Sequence, residues 1–289
     1  MVSSAILNSS LTLSDAILRT LRFDRAIEPS SINGLDDNLY LISFTLFVGC
    51  ICSMLTIVFA ESAIERVPEA LWSHPSVVKS AHRVGKRPGQ VLLDRSYHHA
   101  AMVKLENAEK RGRPDIIHFG LLESLGTPLN REGLLKVYVH TIDDYVMILD
   151  PKTRLPKNYN RFVGLIEQLY ETGRVPSSGR ALIELEKKDF PSLIEERNPT
   201  KVIALTRVGE PKTLKEVADG LSLEERPVAV MGGFPHGHFT ERILRAADEL
   251  VSIDPDALEA SVVASRLIYA FERAIGLPEK RIGRPFKGA

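Results

Sequence analysis

The last third of the chain alternates short apolar runs with helical ones, and this alternation limits the fold more than any other feature. Val202–Leu205, Val228–Met231 and Leu250–Ile253 have the length and branched apolar character of buried strands. Leu214–Ala218, Glu241–Ala247 and Leu258–Ile275 carry the spacing of helices between and after them. Such alternation predicts an α/β fold with an open, largely parallel sheet and helices on both faces. Ligands of such sheets bind at the carboxyl ends of the strands.

Upstream, Leu55–Ala60 reads as another buried strand and Glu61–Leu71 as a helix interrupted by Pro68. Ser73 is a good N-cap for a helix with Pro75 in its first turn. Val91–Leu93 reads as a short strand, and His98–Glu109 and Ile116–Leu125 as helices. Leu134–Thr141 and Tyr145–Leu149 form a strand pair across Ile142-Asp143-Asp144. Asn160–Glu171 is amphipathic, with Phe162, Leu165, Ile166 and Leu169 on one face. No fixed-period repeat is visible, which excludes a solenoid.

Composition divides the chain. Its formal net charge is zero, from 37 basic and 37 acidic residues. Residues 1–53 hold three of the basic residues (Arg19, Arg22, Arg25) and five of the acidic ones, so the rest of the chain carries the compensating positive excess. Both cysteines, Cys50 and Cys52, fall in the first part, and none follows Met54. A disulfide framework, a four-thiolate zinc ribbon and a cysteine nucleophile in the main domain are thereby excluded. Residues 1–53 therefore read as an N-terminal extension outside the fold, with Met54 as an alternative start, and residues 54–289 as the functional domain.

Leu39–Ala60 is uncharged and long enough to cross a bilayer as a helix. Its flanks, Asp36, Asp37 and Glu61, are acidic rather than Lys/Arg-rich, and its final part has strand character. A membrane anchor over 39–60 is the minor reading; a cytoplasmic protein is expected.

Three strand-end segments hold the informative residues. Met231 leads into Gly232-Gly233-Phe234-Pro235-His236-Gly237, whose glycines let main chain approach a ligand. It lacks both the dinucleotide fingerprint and the Gly-Lys-Ser/Thr ending of a phosphate loop. The neighbouring segments are Thr206-Arg-Val-Gly209 and Ser252-Ile-Asp-Pro-Asp-Ala-Leu258. Three such loops with few charges suit an adenosine moiety held by main-chain groups.

Positive charge gathers elsewhere, in Arg111-Gly-Arg113-Pro-Asp115 and in Lys152-Thr-Arg154-Leu-Pro-Lys157-Asn-Tyr-Asn-Arg161. Proline-constrained cations beside Tyr159 and Phe162 suit phosphate contacts and base stacking on looped RNA, with a solvated surface as the competing reading. Asp115 is placed to orient Arg113 rather than to act as an acid. His98, His99, His118, His140, His236 and His238 show no metal-ligand spacing, and no metal is expected. No Gly-x-Ser-x-Gly nucleophile elbow is present.

Asp94-Arg-Ser-Tyr-His-His99, Arg111-Gly-Arg-Pro-Asp-Ile116, Pro128-Leu-Asn130, Val139-His-Thr141, Thr153-Arg-Leu-Pro156 with Asn160-Arg-Phe162, and Gly233-Phe-Pro-His-Gly237 follow one another in order. Together they resemble the ribosome-biogenesis methyltransferases of the Nep/Emg type, which modify N1 of a pseudouridine in small-subunit rRNA. These form the archaeal and eukaryotic branch of the SPOUT, or α/β-knot, superfamily, and the resemblance spans about Met54 to Ile275, archaeal-like in character. It implies a SPOUT-type fold with a C-terminal trefoil knot, in which Ile253–Leu258 and the final helix thread an earlier loop. It also implies a homodimer that takes S-adenosylmethionine as methyl donor and small-subunit rRNA as partner.

On this resemblance the cofactor lies against Leu205, Thr206, Gly232, Gly233, Gly237, Ile253, Asp254, Pro255, Asp256, Ala257 and Leu258. The RNA meets Arg113, Asp115, Arg154, Lys157 and Arg161. Lys157 stands where the family often has Arg, which keeps the charge and loses bidentate geometry. No residue is assigned as the proton acceptor. A scaffolding role in ribosome assembly is the alternative to catalysis, and a tRNA-directed SPOUT enzyme is disfavoured by the Arg-Pro-Asp and Thr-Arg-Leu-Pro blocks.

Overall fold

The computed structural model describes residues 54–284. Residues 1–53, and with them most of the 39–60 run, lie outside the described residues.

Eight strands form one sheet in the order β4-β5-β3-β2-β1-β7-β6-β8. They are β1 (Leu55–Ser62), β2 (Leu135–Thr141), β3 (Tyr145–Leu149), β4 (Arg174–Val175), β5 (Ile183–Lys187), β6 (Lys201–Pro211), β7 (Pro227–Gly232) and β8 (Glu249–Ser252). The run β2-β1-β7-β6-β8 is parallel throughout, and β3, β5 and β4 continue it antiparallel.

β1 lies at the centre, hydrogen-bonded to β2 on one side and β7 on the other, with all eight residues buried. Its side chains alternate between two cores. Ile57 and Phe59 join the larger one, Val58 and Ala60 the smaller. A strand covered on both faces must be apolar at every position, which is why Leu55–Ala60 reads as a continuous run. Its last residues therefore belong to a sheet and not to a bilayer helix, and no helix among the described residues is long and apolar enough to cross a membrane.

The larger core is capped by α3 (Pro114–Gly126), α5 (Tyr159–Thr172), α7 (Leu214–Ser222) and α9 (Ala260–Ala274), and the opposite face by α6 (Phe190–Arg197) and α8 (Glu241–Arg245). Phe59, Phe162 and Phe271 are fully buried in the larger core, each side chain contributing roughly 1.5–3 kcal/mol by leaving water. Two further helices, α1 (Pro75–Arg83) and α2 (Arg95–Met102), pack over a satellite core of Val67, Leu71, Val77, Ala81, Val91, Leu93, Ala101 and Met102. Short helices α4 (Pro128–Arg131) and α10 (Leu277–Ile282) complete the described chain.

Several local expectations are corrected. Glu61–Leu71 is not helical: β1 continues to Ser62, Arg66 bridges to Leu92, and only Glu69–Leu71 makes a 3-10 turn, after Pro68. The helix expected over His98–Glu109 starts earlier, at Arg95, because the Asp94 carboxylate accepts the Ser96 N–H and caps the chain there, and it stops at Met102. The cap before Pro75 is His74, not Ser73. β4, β5, α6 and α10 are additional elements; in Ile183-Glu-Leu-Glu-Lys187 alternating charges obscured a strand near the sheet edge. β6 runs on past Leu205 to Pro211, so Thr206–Gly209 is no simple loop.

Candidate functional site

That last difference shapes the site. Leu205 and Glu210 both align with Val251 of β8, so the intervening residues bulge out of the ladder. Gly209 makes the bulge feasible, since a Cβ there would lie 2.4 Å from the Val251 nitrogen. Leu205, Thr206 and Arg207 then form one wall of a cavity of about 250 Å3 at the carboxyl ends of β6, β7 and β8. Gly232, Phe234, His236 and Gly237 form the second wall, and Ile253, Asp254, Asp256, Ala257 and Leu258 the third. Ala260 and Val263 of α9 also line it.

Nine of the eleven expected cofactor residues thus meet in one cavity. Gly233 and Pro255 do not line it. Gly233 faces the other way: its N–H donates to the Ala60 carbonyl at 2.9 Å, and its own carbonyl accepts from Ala63 at 2.8 Å. A Cβ on it would sit 2.2 Å from Ser62 Oγ, so this glycine serves the packing of β7 against β1. Pro255 is exposed on the outer side of its turn.

The glycine loop is gripped from below by two residues that the sequence did not single out. Glu61, at the kinked end of β1 with φ of 50°, is buried. Its Oε2 lies 3.0 Å from Lys110 Nζ, and its Oε1 accepts hydrogen bonds from the Thr240 N–H (3.1 Å) and hydroxyl. Lys110 also donates to the His238 carbonyl and places its ammonium 4.5 Å from the centre of the Phe234 ring. Phe234 in turn meets Phe239 edge-on. The only sequence signals were a charge directly after an apolar strand and a lysine directly before Arg111-Gly-Arg113.

A second cavity, of about 270 Å3, is lined by Arg113, Asp115, Ile116, Phe119, Glu259 and Ser261. Glu259 and Ser261 flank Ala260 of the first cavity in the chain, so consecutive residues at the start of α9 line the two spaces. Arg113 holds Asp115 in a fork, with Nε–Oδ1 at 2.9 Å and Nη2–Oδ2 at 2.8 Å. The bond to Asp115 raises the guanidinium pKa further, and Asp115 itself lies in the first turn of α3. Both carboxylate oxygens face Arg113.

Arg154, Lys157 and Arg161 are exposed and their side chains carry no partner among the described residues. Their segment is tied to α3 and α2 by buried bonds. The His118 ring shares a 2.8 Å bond with the Pro156 carbonyl and stacks on Phe162 at 4.3 Å. The Tyr159 hydroxyl donates to Asp94 at 2.6 Å, and burial together with that carboxylate raises its pKa. Asn130 donates to the Pro151 carbonyl at 2.9 Å. Three widely separated motifs thus hold one cationic loop beside Arg113.

His98 and His140 are bound into the framework. His98 Nδ1 accepts from the Asp94 N–H while Nε2 meets Ser80 Oγ at 2.6 Å. His140 Nδ1 accepts from the Glu61 N–H, and Nε2 lies 3.0 Å from Asp144, which Arg242 also grips at 2.6 Å. This bonding assigns both rings the neutral form with the proton on Nε2, and burial lowers both pKa values. Among the described residues no His, Cys, Asp or Glu group is arranged to hold a metal ion.

Comparison with known proteins places the chain among relatives. The family profile described as EMG1/NEP1 methyltransferase matches residues 57–272. The ribosomal RNA small subunit methyltransferases Nep1 of Pyrobaculum islandicum and Thermococcus kodakarensis are 47% and 46% identical over 224 residues, covering 100% of each relative and 77% and 78% of this chain. The crystal structure of Archaeoglobus fulgidus Nep1 bound to S-adenosylhomocysteine superposes with a TM-score of 0.67 at 38% identity, over 78% of this chain and 99% of that one.

Proposed function

The chain belongs to the EMG1/NEP1 methyltransferase family, and from that membership we propose that it methylates N1 of a pseudouridine in small-subunit rRNA. It is an S-adenosylmethionine-dependent rRNA methyltransferase with the α/β fold of the Nep1 structure. The observation that carries the finer reading is that consecutive residues at the start of α9 line two cavities, one with the Gly232–Gly237 loop and the other with Arg113.

The first cavity fits the cofactor chemically. Leu205, Met231, Ile253 and Leu258 offer apolar contact for a nucleoside, Gly232 and Gly237 offer backbone, and Asp254 and Asp256 offer negative charge toward a cationic sulfonium. S-adenosylmethionine supplies an already activated methyl group, so the chain's work is alignment and exclusion of water. Arg113, held by Asp115, is placed to grip the target nucleotide, and Arg154, Lys157 and Arg161 to grip its backbone. Pseudouridine exposes an N1–H that uridine lacks, because the sugar of uridine occupies that nitrogen. A flipped base entering the Arg113 cavity would present this edge toward the cofactor side.

A homodimer accords with an uncovered apolar face. α3 is mostly apolar, with Ile116, Ile117 and Leu121 buried and only Asp115 and Glu123 charged. Yet its Phe119 is 55% exposed, and on the helix packed against it, α9, Val262 and Tyr269 are 41% and 60% exposed. A second copy would cover them, and Phe119→Glu should shift the protein to monomer in sedimentation. Threading of 253–258 through an earlier loop as a trefoil knot belongs to the same reading, supported by the closeness of the three cavity walls. An rRNA substrate supports a cytoplasmic place of work.

The deciding experiment is methyl transfer to hairpins carrying pseudouridine or uridine at one loop position. Product with pseudouridine alone is expected. Tight RNA binding without product from either would turn the reading to an assembly scaffold.

A further inference from the structure

The α1–α2 pair lies outside the site described above, yet it belongs to a stretch rich in positive charge. Between Lys79 and Arg113 there are nine Lys or Arg residues against three acidic ones, in a chain whose net charge is zero. Four of the nine are committed to carboxylates: Lys86 to Glu167, Lys110 to Glu61, Arg111 to Glu65 and Arg113 to Asp115. Lys79 and Lys104 are exposed and have no partner among the described residues. Arg83, at the end of α1, lays its guanidinium 4.4 Å from the centre of the Tyr97 ring on α2. Tyr97 is nevertheless 44% exposed as a residue.

The position of this pair links it to the RNA groove. Tyr97 lies in the first turn of α2, whose cap, Asp94, accepts the Tyr159 hydroxyl. Tyr159 stands between Lys157 and Arg161 in the chain, so Asp94 joins the two surfaces through one 2.6 Å bond. An Arg over one face of an exposed aromatic ring fixes the ring's orientation and leaves it able to stack on a further flat group. Every nucleobase has such a face, and positive charge nearby attracts the phosphates on either side. We propose that the RNA groove continues onto α1 and α2, where Tyr97, backed by Arg83, stacks an unpaired base of the rRNA. This rests on the rRNA reading and adds a contact remote from the methylated nucleotide.

The test uses the full chain and a set of hairpins with single-stranded flanks, each carrying 2-aminopurine at one unpaired position. Stacking should quench one of these probes on binding to the unaltered protein. Tyr97→Ala should abolish that quench and weaken binding about five- to tenfold, within the range for loss of one base–aromatic stack, while Tyr97→Phe keeps both. Arg83→Ala should lower the salt dependence of binding by about one counterion. Unchanged affinity of Tyr97→Ala for S-adenosylhomocysteine serves as the check that the fold is intact. Wild-type affinity and an undiminished quench in Tyr97→Ala would overturn the proposal and leave an ordinary surface pair. Failure of the unaltered protein to bind any hairpin would instead sink the rRNA reading, and this contact with it.

Discussion

Lys110 and Glu61, 49 positions apart in the chain, meet at 3.0 Å beneath the Gly232–Gly237 loop that walls the first cavity. Their bonds reach Phe234, His238 and Thr240, so one ion pair holds the loop at its start, middle and end. Both side chains are largely shielded from solvent, at 13% and 5% exposure, and removing one charge would leave the other without its partner. Lys110→Met should therefore weaken S-adenosylhomocysteine binding by about tenfold or more, equivalent to roughly 1.4 kcal/mol. Isothermal titration would show it, and Lys110→Arg should recover part of the loss. Cofactor binding unchanged in Lys110→Met would refute this role for the pair.

The Arg113–Asp115 fork predicts a different signature. Arg113→Ala should weaken rRNA-hairpin binding and reduce the salt slope by about one, since one phosphate-type contact is lost. Cofactor affinity should not change. Asp115→Asn keeps the charge of Arg113 but loses its two-point hold, so the defect should appear in methyl transfer more than in RNA affinity. Filter binding at several salt concentrations beside single-turnover assays separates the two effects.

Gly209 offers a test of the bulge in β6. An added Cβ would meet backbone of Val251 at 2.4 Å, and backbone cannot swing aside as a flexible side chain can. Gly209→Ala should cost about 1–3 kcal/mol of stability as an overpacking change and open the cavity wall formed by Thr206 and Arg207. Chemical denaturation and cofactor titration would report both. A neutral outcome would mean that β6 and β8 part at little cost.

The buried histidines set an acid limit. His98 and His140 are held neutral in the folded state, with pKa values lowered chiefly by burial. A group whose folded pKa is depressed contributes stability above its unfolded value and loses it as the pH falls. Stability should thus be level above about pH 6.5, the ordinary histidine value, and decline on acidification before the carboxylates titrate. His140→Asn should flatten part of that decline in melting curves between pH 5 and 7. An unaltered slope would show that His140 does not carry it.

How much of this was legible beforehand follows from the range of the forces involved. Strand–helix alternation and the both-sided burial of Leu55–Ala60 are local consequences of hydrophobic pattern, and they predicted the parallel sheet and the strand ends at which the cavity lies. Conformational freedom at glycine is also local, so the Gly232–Gly237 loop could be picked out. Its inner glycine, Gly233, could not be separated from the rest, because only the approach of Ser62 gives that residue its packing role.

Sequence by itself therefore determined the class of fold, the three strand-end segments of the cavity and the residue types of the cationic groove. Tertiary structure alone decided which of those residues converge: that Thr206–Gly209 bulges from a continuing strand, that Glu61 and Lys110 grip one loop, and that Asp94 joins Tyr159 to α2. Hydrophobic periodicity acts over a few residues and can be read in one dimension. Ion pairs and buried hydrogen bonds join positions 49 and 65 apart, and their partners are selected only when packing has removed the water that would otherwise satisfy them.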